Sequence, residues 1–140
     1  MHGTWEDLNR RLVGALLALD LHDSLVIGER REVPRKRLFG PKPPPPGPRR
    51  YVQITAAQNA LVAECVGSTR IGGAWEMSEE TEATLLRQGW EKPWLPELTT
   101  FQREAQLIGA PRLALATVRA LQALGCELED LEVELTREEP

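Results

Sequence analysis

The chain has 140 residues, 41% of them hydrophobic and 27% charged, with a formal net charge of -4, an ordinary globular composition that fits a single domain. A core of this size needs no disulfide or metal staple, and with only seven aromatic residues it must be built from Leu, Val and Ala. No apolar run approaches the roughly 18 residues of a membrane-spanning helix, and the N-terminus lacks the basic, apolar and small-residue regions of a signal peptide, so no membrane insertion is expected and a cytoplasmic location is. Cys65 and Cys126 have neither disulfide-framework nor zinc-ribbon spacing, in keeping with a reducing compartment.

Trp5, Leu8, Leu12, Leu16 and Leu19 recur every three or four residues and predict an amphipathic helix over about 4–19. Thr4 is its expected N-cap, with Asp7 standing where a capping box would carry Glu or Gln. Ser24-Leu-Val-Ile-Gly28 then reads as a short buried strand. Residues 29–50 hold seven of the eleven prolines, which favour extended backbone over helix or sheet. Eight basic residues against Glu32 give residues 30–50 a charge of +7, whereas the last fourteen residues carry seven acids and Arg137, giving -6. The 29–50 stretch is expected to be a flexible insertion within one domain spanning 1–140.

Tyr51-Val-Gln-Ile-Thr55 and Leu61-Val-Ala-Glu-Cys-Val66 suit an antiparallel hairpin with a loop of several residues. Alternation sets Val52 and Ile54 on one face and Tyr51, Gln53 and Thr55 on the other. A further strand or bend is expected over 70–76. Ser78, the acids Glu79, Glu80 and Glu82, the anchors Leu85 and Leu86, and Gly89 predict a second helix over about 79–88. Pro93 and Pro96 make Trp90–Pro96 an irregular, aromatic-bearing loop. A third helix starts near Pro111 and runs through Leu113, Leu115, Val118, Leu121 and Leu124 to Gly125. Leu131-Glu-Val-Glu-Leu135 alternates like an edge strand. The order α, β, β, β, α, α, β is that of an α+β fold, with helices packed on one antiparallel sheet.

The chemistry-bearing residues are few. His2, His22, Cys65 and Cys126 are not paired at ligand spacing, so no metal and no cofactor are expected. The cysteines read as buried small hydrophobes and the histidines as surface residues. A Cys65–His22 nucleophilic pair would need an exposed, electropositive setting, and Cys65 sits among aliphatics. There is no Walker loop, G-x-G-x-x-G or H-E-x-x-H motif. Glu64 faces solvent by alternation or, if buried, needs a partner.

The basic 30–50 segment could meet phosphates or an anionic surface. It has only Phe39 and Tyr51 for stacking, so a solvated loop is expected and no nucleic acid. Within it, Pro45-x-x-Pro48-x-Arg50 matches the proline-rich ligand pattern, a match that any proline run can produce. Trp75, Trp90 and Trp94 either mark a contact surface or close the core, and both readings stay open.

Taken in order, the helix with Trp5, Leu8 and Leu12, then Leu25-Val-Ile27, Tyr51-Val-Gln53, Leu61-Val-Ala-Glu64, Leu85-Leu-x-x-Gly-Trp90 with Pro93, and the Leu/Ala/Val helix over 113–124 resemble the TY-Chap domain family. These are bacterial peptide-binding chaperones related to type III secretion chaperones and YbjN-like proteins. The insertion at 29–50 is longer than the family's link between its first two strands. The resemblance implies a secretion-chaperone-like α+β fold, frequently homodimeric, that holds an extended or partly folded client protein or peptide and has no catalytic role. It carries over Gln53 and Glu64 as positions matching the family pattern, with Trp90 ending the second helix. Trp5, Gln53, Glu64, Trp75, Trp90 and Trp94 are therefore the candidate partner-binding residues. The alternatives are a small-molecule enzyme using Glu64 or Cys65, or an anionic-ligand binder acting through 30–50.

Overall fold

The computed structural model describes residues 3–29, 50–66, 78–92 and 100–137. Helix α1 (Trp5–Leu17) begins at a working capping box. The Asp7 amide donates to Thr4 Oγ1 at 3.2 Å and the Thr4 amide donates to Asp7 Oδ2 at 3.0 Å. Asp thus closes the box that Glu or Gln closes elsewhere, and the Arg10 guanidinium pairs with the same carboxylate. These bonds hold the Asp7 carboxyl below its usual pKa, the Thr4 backbone bond contributing most. Leu8, Leu12 and Leu16 form the buried stripe.

Strand β1 (Ser24–Glu29) pairs with β2 (Tyr51–Ala57), which turns into β3 (Ala60–Val66). The hairpin is tighter than the sequence implies. Ala57 pairs with Ala60, and the two turn residues include Asn59 at φ 61, a left-handed value that Asn tolerates. Helix α2 (Glu79–Arg87) is capped by Ser78 Oγ, which accepts from the Thr81 amide at 3.1 Å. Next comes β4 (Thr100–Gln106), a strand the sequence reading leaves unassigned, then α3 (Ala110–Ala123) and β5 (Leu131–Thr136). The expected strand over 70–76 lies outside the described residues, as do Trp75 and Trp94.

The five strands form one antiparallel sheet in the order β4-β3-β2-β1-β5, an α+β fold as expected. Along β2 the residues alternate buried and half-buried, with Val52 and Ile54 inward and Tyr51, Gln53 and Thr55 outward. One face therefore presents Leu25, Ile27, Val52, Ile54, Leu61, Ala63, Cys65 and Phe101 to the helices. Helix α3 lies across β2, β3 and β4, with α1 packed beside it.

Helices α2 and α3 stop in the same way. Gly89 and Gly125 have φ 97 and φ 84, and the residues after them, Trp90 and Cys126, donate their amides to Leu85 and Leu121 at 3.1 Å. These are Schellman turns, whose six-residue bond carries a hydrophobic contact across the helix end. In α2 that contact is Trp90, 2% exposed, with the fully buried Leu85. Of the two readings open for Trp90, the core is the one realised, since a ring so enclosed presents no surface to a partner.

Two substitutions test this packing. Trp90→Ala should destabilise by about 3–5 kcal/mol, and an unchanged melting temperature would show that the ring contributes nothing to the core. Gly28→Ala should also destabilise, because a Cβ there would stand 2.6 Å from Tyr51 Cβ and 2.8 Å from the Arg50 carbonyl oxygen. A melting temperature equal to wild type would show that β2 yields freely at that point.

Candidate functional site

The strand register brings together two of the sequence candidates. Gln53 and Glu64 stand directly opposite on β2 and β3, flanked by Val26 and Gln102, with Glu134 completing a row across all five strands. This row lies on the sheet face turned away from the helices. The neighbouring row is Thr136, Ser24, Thr55, Val62 and Glu104, in which the Ser24 and Thr55 hydroxyls are 3.0 Å apart. Glu64 is half-buried there, the solvent-side placement that alternation implies. The face is polar and bears Glu64, Glu104, Glu132 and Glu134.

The helix-covered face gives a different surface at its rim. Register sets Val133 beside Ile27 and Leu135 beside Leu25. Ile27 and Leu25 are 0% and 3% exposed, but Val133 and Leu135 are 39% and 49% exposed. At the end of α1, Leu17 and Leu21 are likewise exposed. Trp5, at the start of α1, is half-buried and packs against the core. The sequence shows β5 as an alternating edge strand, but the exposure of its inward side chains depends on how far the helices reach.

At the opposite edge, Arg103 explains why β4 escapes a reading by alternation. It occupies an inward position opposite Ala63, where a strand pattern calls for an aliphatic residue. Its guanidinium donates to the carbonyl of Gln88, the C-cap of α2, and so places a cation at the negative end of that helix. Glu91 adds an antiparallel bridge to Gln102, with bonds of 2.8 and 2.9 Å. Val62, Gly89, Glu91, Gln102, Arg103 and Glu104 line a pocket of about 320 Å³ beside this junction.

The cysteines are both buried. Burial is the main cause that lifts each thiol from an ordinary value near 9.0 to about 12, which disfavours the thiolate form. Among the described residues no group of three or more His, Cys, Asp or Glu could hold a metal ion, and no helix is long and apolar enough to cross a membrane. Of the basic 30–50 segment, only Arg50 is described. Its amide donates to Glu29 Oε1 at 3.0 Å, and its Nε lies 3.8 Å from the same oxygen.

The family described as T3SS (YopN, CesT) and YbjN peptide-binding chaperone 3, TY-Chap3, matches residues 1–130, and the chain belongs to it. No curated protein and no solved structure matches the chain.

The thiols give a pH test. Unfolding returns them to their ordinary value, so their contribution to stability is constant below about pH 9 and falls as the pH rises toward 12. Urea unfolding at about pH 8 and about pH 10 should show a loss of stability that shrinks in a Cys65→Ala/Cys126→Ala variant. An equal loss in both proteins would assign it to other groups.

Proposed function

We propose that the chain is a non-enzymatic chaperone, working in the cytoplasm as a homodimer, that holds an extended or partly folded client segment against the rim formed by β5 and the end of α1. The observation that carries this reading is the exposure of Val133 and Leu135 on the helix-side face of an edge strand. Apolar side chains on that face belong in a core, and among the described residues these two stay exposed. A client segment laid along the rim would bury them, at roughly 25 cal/mol per Å² of apolar surface removed from water. Leu17 and Leu21 extend the apolar area available to it. Membership of a peptide-binding chaperone family supports the same reading. Gln53 and Glu64, on the other face, then act through the sheet itself, as a polar cross-strand pair that helps set its register.

The test is binding of a permanently unfolded, carboxymethylated polypeptide, followed by fluorescence anisotropy. Wild type should retain it, and Val133→Asp/Leu135→Asp should weaken binding at least tenfold with little change in melting temperature, since both side chains are already exposed. Equal affinity of the two proteins would move the client away from β5. Affinity capture from the native cytosol with the same pair of proteins would then identify the client lost by the variant.

A further inference from the structure

The outer surface of the helix layer carries charge and apolar area that the β5 rim does not use. On α3 the exposed positions Arg112, Leu115, Arg119 and Gln122 fall three or four residues apart and share one arc. Ile108, on the turn leading into the helix, stands four residues before Arg112 and is 89% exposed. No acidic residue occurs from Leu107 to Cys126, in a chain of net charge -4. On α2 the exposed arc is Glu79, Glu80, Ala83, Leu86 and Arg87. The two helices pack against each other, so an acidic helix start and a basic helix arc sit side by side, each with an exposed leucine. Among the described residues neither Arg112 and Arg119 nor Glu79 and Glu80 forms an ion pair. Leu86, Leu107, Ile108 and Leu115 make up half of the eight large hydrophobic side chains exposed among the described residues.

A surface made of an acidic helix start and a basic helix arc is complementary to itself under a two-fold rotation that sets each against the other kind. We propose that the α2/α3 face is the interface of a two-fold symmetric homodimer, in which α2 of one copy lies on α3 of the other. Leu86 then meets Leu115 and Ile108 of the partner subunit, and Glu79 and Glu80 meet Arg112 and Arg119 of the partner subunit. A second copy satisfies both charge sets at once, whereas an acidic client on α3 would leave the α2 carboxylates unmatched. The inference rests on the homodimer of the reading above but not on its client surface, because β5 is the sheet edge opposite β4, to which the end of α2 is tied.

Light scattering on gel-filtered protein, over about a hundredfold range of concentration, tests the interface. Wild type should give a dimeric mass. Arg112→Glu/Arg119→Glu and Glu79→Arg/Glu80→Arg should each dissociate at least tenfold more readily, and an equimolar mixture of the two should recover a 1:1 heterodimer, since only the mixed pair has opposite charges at both contacts. Because arginine opposes the dipole at the start of α2, Leu86→Arg serves as a second α2-side variant, and circular dichroism confirms that each protein is folded. A wild-type monomer at every concentration would overturn both the interface and the homodimer, leaving the polypeptide-binding assay to judge the client surface separately. A dimer indifferent to the charge reversals, or a mixture that stays dissociated, would overturn the interface alone.

Discussion

Among the described residues the helices cover one side of the sheet, and this is the constraint from which most of the described structure follows. Strands stand about 4.8 Å apart and packed helices about 8–10 Å apart, so one helix step corresponds to about two strands. Helix α3 lies over β2, β3 and β4, with α1 packed beside it. Strand β5 is then left at the margin, where Leu131 is still buried and Val133 and Leu135 are not. No residue type in β5 encodes this exposure alone, since Leu131, Val133 and Leu135 share one face and differ in burial.

The second organising element is the way the helices end. Gly89 and Gly125 adopt left-handed φ values that release the chain after α2 and α3, and both helices close with the same pair of backbone bonds. Each stop turns a following apolar residue, Trp90 or Cys126, into the interior. At α2 the geometry is secured from the sheet, because Arg103 of β4 reaches the Gln88 carbonyl and Glu91 pairs with Gln102. The short helix owes its position to these polar ties as well as to its one buried residue, Leu85.

Much of this was legible without coordinates. The three helices appear within about two residues of the boundaries that caps and periodicity imply, and β1, β2, β3 and β5 appear where β-favouring runs stand. The burial of both cysteines and the inward and outward faces of β2 also follow from composition and alternation. Strand β4 did not show itself, because its inward positions are Phe101, Arg103 and Ala105, and an arginine among them erases the period-two signal. Trp90 was ambiguous for a related reason. A tryptophan beside prolines serves a surface or a core equally well until the Schellman turn directs it inward.

By itself, then, the chain determined its local elements other than β4, its α+β class and the family to which it belongs, since capping residues, glycine stops and hydrophobic period act over a few residues and are written in order. Only the tertiary structure decided which strands are neighbours, that Gln53 meets Glu64, that Arg103 serves α2, and that Val133 and Leu135 stay exposed. These depend on pairings between residues far apart in sequence and on the width of packed helices against packed strands. Such distances arise only when the layers are assembled.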